Sequence, residues 1–238
     1  MSPIAASLSS HAATKPRRSL QAAPFHVKHL HQRYAQLVRS GPSGLFSRGD
    51  TARLELHITD GVAGCGTLQE LSPATIVDVG SGGGVPGIPI AVELPDTHVH
   101  LVESQAWKAA FLEACALDLN LKSRVKVHAV RAEDAVPAIG RESADVGTAR
   151  ALAAPLIVAE YLAPLVRVGG HLVLWSTTAQ ADGSLVAPNE ILGLGEPRLV
   201  DCPSELRADG VQIVWPRVAP CADRVPRRAG VAQRRPLR

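Results

Sequence analysis

The sequence predicts a doubly wound α/β fold, a largely parallel sheet with helices on both faces, on three observations. From residue 73 onward, short β-branched runs alternate with helical stretches, the order of repeated βαβ units. Aromatic residues make up 3% of a chain that is 46% hydrophobic, so the core is built from Ala, Val, Leu and Ile, which suits buried parallel strands. One apolar run leads directly into Gly80-Ser81-Gly82-Gly83-Gly84-Val85-Pro86-Gly87, a turn that lets the backbone approach a ligand closely at the end of a strand.

The elements follow in order. Residues 1–24 lack a hydrophobic period and are expected to be a disordered, basic N-terminus. In residues 25–39, Leu30, Tyr34, Leu37 and Val38 share one helical face, and Ser40-Gly41-Pro42-Ser43-Gly44 ends the helix. A second helix over 53–62 buries Leu54, Ile58 and Val62, so residues 25–72 form a short helical extension. The main domain, 73–217, then reads strand 75–79, helix 88–94, strand 99–103, helix 106–119, strand 125–130, strand 144–148, helix 155–166 and strand 171–175. Two closing strands are expected at 198–201 and 211–215, followed by a basic tail over 218–238.

Composition narrows the function. A chain of 238 residues holds one well-buried core with appendages. Cys65, Cys115, Cys202 and Cys221 are far apart and show neither disulfide nor zinc spacing. His26, His29 and His31 do not share a helical face, so no metal site is expected. The longest apolar run, 151–175, is interrupted by Glu160, Arg167 and Gly169-Gly170 and cannot span a membrane. The first 20 residues lack the apolar stretch of a secretory signal, and a cytoplasmic location is expected. Charge is uneven: residues 1–40 carry six Lys or Arg and no acid, and residues 207–238 carry eight Arg against Asp209 and Asp223. Two basic ends on an acidic middle suit either docking on a phosphate backbone or solvated tails.

The chemistry centres on the glycine turn. Gly82-x-Gly84-x-x-Gly87 matches a dinucleotide fingerprint and leaves an NAD-dependent oxidoreductase open. Asp78, two residues before Gly80, favours a ligand carrying an ammonium group, as S-adenosylmethionine does, over a pyrophosphate. Glu103, 23 residues after Gly80, ends the second strand where a carboxylate can accept from a ribose diol. Glu133 follows the third strand, where a loop could border an adenine ring, although taken alone it reads more simply as an N-cap or a solvated loop. Trp175, at a strand end on the ligand edge, is a candidate for stacking on a base, whereas Trp107 is expected to cover the adjacent helix.

The run DVGSGGGVPGIPIA, then LVES, then RAED, then Thr148-Ala149-Arg150-Ala151, resembles the small-subunit ribosomal RNA methyltransferase G family, also called glucose-inhibited division protein B. Glu55-Leu56-His57-Ile58-Thr59-Asp60 is similar to that family's R-H-h-h-D-S helix in degraded form. The resemblance implies a Rossmann-like methyltransferase sheet and methyl transfer from S-adenosylmethionine to N7 of a guanine in small-subunit (16S) rRNA. It implies cofactor contacts at Gly80 and Val85 within a loop that includes Gly82 and Gly84, at Ala132 and Glu133, and at Arg150, beside Asp78 and Glu103. No catalytic acid or base is expected, because guanine N7 already presents a lone pair. The expected partner is small-subunit rRNA or the small ribosomal subunit, with the chain acting as a monomer. Two departures leave a catalytically weakened rRNA-binding or assembly factor open: the family's N-terminal W-N…I-N-L segment is not recognisable, and Ser176-Thr177 stands where the family has Lys-Gly.

Overall fold

In the computed structural model, which describes residues 24–181 and 189–237, the chain begins with four helices: α1 (Pro24–Ser40), α2 (Arg48–Ala52), α3 (Leu54–Ala63) and α4 (Cys65–Leu71). The N-terminal stretch expected to be disordered lies, through residue 23, outside the described residues. α1 forms because Leu30, Tyr34, Leu37 and Val38 recur at helical spacing, and that stripe meets the core. Ser47 caps α2 by accepting from Asp50 N at 3.2 Å.

The sheet region then runs β1 (Thr75–Val79), α5 (Gly87–Glu93), β2 (His98–Val102), α6 (Ala106–Asp118), β3 (Val125–His128), a 3-10 turn at Ala132–Asp134, α7 (Ala135–Ile139), β4 (Ala144–Arg150), α8 (Pro155–Leu162) and β5 (Val166–Thr177). It closes with α9 (Asn189–Leu192), β6 (Arg198–Asp201), β7 (Gly210–Pro216) and α10 (Val231–Arg234). The strand order is β3-β2-β1-β4-β5-β7-β6. β1 to β5 are parallel, and β7 pairs antiparallel with both β5 and β6. Chain direction across the sheet reverses between β1 and β4, so their C-terminal ends open the crevice where such folds bind ligands.

Alternation along β1 sends its side chains to two separate cores. Ile76 packs with Tyr34, Leu54, Leu68, Ile88, Leu101 and Leu112 on the face covered by α1, α3, α5 and α6. Val77 and Val79 pack with Val158, Leu162, Leu172, Ile213 and Trp215 on the α8 face. The N-terminal helices therefore bury their apolar stripe in the same core as β1 and β2.

Several boundaries differ from expectation for local reasons. The helix expected through 166 ends at Leu162, because Pro164 lacks an N–H and disfavours helix before it. β5 starts at Val166 rather than 171; its pairing with β4 shifts register between Val166 and His171, placing Gly169-Gly170 in an irregularity within the strand. β3 stops at His128, short of 130, whereas β4 continues to Arg150.

The tail is the larger correction. It was expected as an extended arm or solvated appendage, but Cys221, Val225 and Ala232 are buried. These apolar residues punctuate the basic run and attach it to the α8 face. The final arginine of that tail, at 238, lies outside the described residues.

Because Leu54 of α3 is fully buried in the core shared with β1, Leu54→Ala is expected to lower stability by about 2–5 kcal/mol. Guanidinium unfolding followed by both helical and Trp signals should shift as one transition. An unmoved transition for the sheet, with a separate early loss of helix, would show that the N-terminal helices fold independently.

Candidate functional site

The crevice is built around the turn that follows β1. Gly80 adopts φ 74°, and the amides of Gly80 and Ser81 both donate to Val102 O, at 2.9 and 3.0 Å. This tucks the turn onto the end of β2. Gly84, at φ 108°, donates to Ser81 O at 2.7 Å, and Tyr34 Oη donates to Gly83 O at 2.5 Å. A Cβ on Gly80 would come within 2.6 Å of Leu152, one on Gly84 within 2.8 Å of Tyr34 Oη, and one on Gly83 would collide with Phe46. At Gly82 the nearest atom is 3.8 Å away, so the turn is open there. Val85 turns its buried side chain toward Gly61 of α3.

Glu103 sits one residue past β2 and is almost fully buried. Its Oε2 accepts from Gly82 N at 2.9 Å and its Oε1 from Gln105 N at 2.8 Å. An ionised carboxylate has about four lone-pair sites, so this arrangement fixes the group and leaves capacity for a diol. Asp78 lies beneath the turn with no exposed surface. Thr148 donates to its Oδ1 at 3.2 Å, and its Oδ2 lies against the Gly87 backbone at the start of α5. Burial pushes its carboxyl up to about 6, partly offset by hydrogen bonding from Ser81, Thr148 and the Gly87 backbone.

Ala132 and Glu133 lie in the 3-10 turn after β3, on the same edge of the sheet. Glu133 Oε1 accepts from Gly230 N at 2.9 Å and weakly from Tyr161 Oη at 3.5 Å. The structure thus brings together Asp78, Gly80, Gly82, Gly84 and Glu103 in one loop cluster, with Ala132 and Glu133 on the following strand's exit.

Arg150, at the end of β4, points to α3 instead. Its Nη1 donates to Asp60 Oδ2 at 2.9 Å, and its Nη2 lies 3.2 Å from His57 Nδ1. Asp60 is fully buried; its Oδ1 also accepts from Arg207 Nε and Ser204 Oγ, each at 2.8 Å. Two guanidiniums thereby share one carboxylate at the crevice edge, and Arg150 Nε and Arg207 Nη2 are buried without partners. His57 Nε2 lies 3.1 Å from Asp50 Oδ1, while burial and the Arg150 charge hold its imidazole below the usual range. Trp175 is not available for stacking as expected. It is buried, and its Nε1 donates to Asp60 O at 3.0 Å. Trp107 is 42% exposed.

Asp60, with its partners Arg207 and Ser204, and Gly230 hold the expected residues Arg150 and Glu133, and none of these contacts was expected from the sequence. His57 and Asp60, three apart on a helix, share a face, and that spacing was the available signal. Arg207 and Gly230 lie in irregular segments with no such signal. Among the described residues, no group of three or more His, Cys, Asp or Glu is placed to hold a metal, and no helix is long and apolar enough to cross a membrane.

The family described as rRNA small subunit methyltransferase G matches residues 28–195. A curated relative, "Ribosomal RNA small subunit methyltransferase G" of Rubrobacter xylanophilus, is 39% identical over 211 residues, covering 79% of this chain and 74% of the relative. The protein of the same name from Roseiflexus castenholzii is 37% identical over 175 residues, covering 70% and 72%. Among solved structures, cofactor-bound Rv0187 from MTB superposes with a TM-score of 0.56 at 16% identity, covering 85% of this chain and 94% of that one. The mitomycin 7-O-methyltransferase MmcR gives 0.53 at 16%, covering 83% and 70%. These two share the fold. The matched span contains the glycine turn, Glu103, Glu133 and the Asp60–Arg150 pair, and the chain belongs to the rRNA small subunit methyltransferase G family.

Proposed function

We propose that this chain transfers a methyl group from S-adenosylmethionine to N7 of a guanine in small-subunit (16S) ribosomal RNA, acting as a cytoplasmic monomer on the rRNA or the small subunit. The observation that carries the reading is the Glu103 carboxylate locked onto Gly82 N beside the open face of the turn. In this reading Gly80, Gly82, Gly84 and Val85 supply the backbone cradle, Glu103 accepts from the ribose, and Ala132 and Glu133 border the adenine. The charge fits a cationic ligand: Asp78, buried beneath the turn against the Gly87 backbone, adds negative charge there that favours an ammonium group. The same charge opposes a pyrophosphate, which disfavours the NAD-dependent alternative.

When bound, S-adenosylmethionine supplies an electrophilic methyl group on a sulfonium. A guanine N7 lone pair would accept that methyl group directly, with S-adenosylhomocysteine leaving as a neutral thioether. No proton must be removed first, so no general base is assigned. The chain's contribution is alignment, an effect that can supply about 7–11 kcal/mol. In this reading Arg150, held against α3 by Asp60 and His57, would contribute positive charge near the methionine end or the target base. Near the end of β5, Ser176 stands where the family has Lys, and its carbonyl accepts from Arg207, whose guanidinium is also paired with the buried Asp60. Arg224, Arg228, Arg234 and Arg235 are exposed on the docked C-terminal segment and would meet RNA phosphates.

Labelled S-adenosylmethionine incubated with small subunits lacking their native methylations should yield 7-methylguanine in the 16S rRNA. Cofactor binding without transfer would instead make the chain an rRNA-binding factor. A second expectation concerns Asp78. Its folded-state pKa near 6 lies above the unfolded value of 3.8, so its stabilising contribution is present below about pH 4 and lost as pH rises through 6. Asp78→Asn should therefore be more stable than wild type at pH 7, with the difference shrinking toward pH 4, while binding S-adenosylmethionine more weakly. Equal cofactor affinity in the two proteins at pH 7 would remove Asp78 from the site.

A further inference from the structure

We infer that the segment after β7, residues 221–235, is a docked cap that positions Glu133, so that cofactor affinity depends on chain lying beyond the family-matched span. The inference rests on the reading above that Glu133 borders the cofactor. Three attachments fix the cap. Arg141 donates to Val225 O at 2.7 Å. Glu160 of α8, buried to 1% exposure, accepts from Arg227 at three points: the backbone N at 3.0 Å, Nε at 2.8 Å and Nη2 at 2.6 Å. Val225 and Ala232 bury their side chains against the same face.

Three residues after Arg227, the chain delivers Gly230 N to Glu133 Oε1 at 2.9 Å. Gly230 takes φ 74°, a conformation that aims the amide there at no steric cost to glycine. Tyr161, next to Glu160 on α8, approaches the same oxygen at 3.5 Å and, with burial as the main cause, has its phenol pushed up to about 12. Glu133 is therefore held from α8 and from the cap at once, and both contacts depend on the helix that anchors Arg227. Without the cap, Glu160 would become a buried carboxylate lacking its guanidinium, and Glu133 would lose a main-chain donor. Deleting the C-terminal segment is thus expected to weaken the cofactor site itself and not only contacts with RNA.

The test uses the full chain with Glu133→Gln, Arg227→Gln, Gly230→Ala and the Glu133→Gln/Arg227→Gln double variant. Calorimetry with S-adenosylmethionine and with S-adenosylhomocysteine reads binding directly; cofactor KM and RNA KM are measured separately. Arg227→Gln should raise the cofactor Kd about tenfold, the loss expected for one hydrogen bond to a charged group. The double variant should bind no more weakly than Glu133→Gln alone, and cofactor KM should rise while RNA KM stays near wild type. Gly230→Ala leaves Glu160 paired and should shift Kd in the same direction, which keeps the test valid if Arg227→Gln folds poorly. Weak binding by Glu133→Gln with wild-type binding by Gly230→Ala and Arg227→Gln would overturn the cap's role. Multiplicative losses in the double variant would also overturn it, since the cap would then act by another route. Wild-type affinity in Glu133→Gln would sink the assignment of Glu133 to the cofactor, and the positioning role with it.

Discussion

Tyr34 of α1 donates to Gly83 O while Phe46, Leu152 and Leu101 crowd the positions where side chains at Gly83, Gly80 and Gly87 would stand. The turn after β1 is thus wedged among residues from α1, the segment before α2, the β4–α8 connection and β2. Protein interiors are close-packed, so a wedge of this kind fixes its neighbours as firmly as they fix it. The N-terminal helices, the central strands and the turn form one packed unit for this reason. Among the described residues, the turn is open at Gly82, whose amide donates to Glu103.

Buried charge is the second organising feature. Asp60 would be costly without partners, and it receives Arg150, Arg207 and Ser204 from two separate parts of the chain. That triad ties α3 to the end of β4 and to the β6–β7 loop. Glu160 does the same between α8 and the C-terminal segment through Arg227. Asp78 differs, because its buried carboxylate has no cation paired with it and rests on neutral donors such as Thr148. A fully buried carboxylate without a paired cation is destabilising at neutral pH.

Much of this was legible in the sequence, because the fold depends on periodicities that local residues carry. The β1 run, the glycine turn and the acids at Asp78 and Glu103 are contiguous or regularly spaced, and the structure clusters them. Pro164 shows why boundaries slipped: an apolar period continued across a residue that cannot remain in a helix. The tail shows a different limit. Its arginines suggested solvent, but Arg227 and Gly230 find their partners 67 and 97 residues away, and no local pattern encodes such pairings. Trp175 was misjudged likewise, because its anchor, Asp60 O, lies 115 residues earlier.

The claim on which the account stands is that the turn after β1 is a cofactor cradle and not merely a tight connection. Gly80→Val tests it most directly, since a branched residue at φ 74° is strained and its Cβ would press on Leu152 at the mouth of the crevice. Titration calorimetry with S-adenosylmethionine should show no measurable binding by this variant, with the circular dichroism of the wild type retained. Wild-type affinity in a folded Gly80→Val protein would contradict the account.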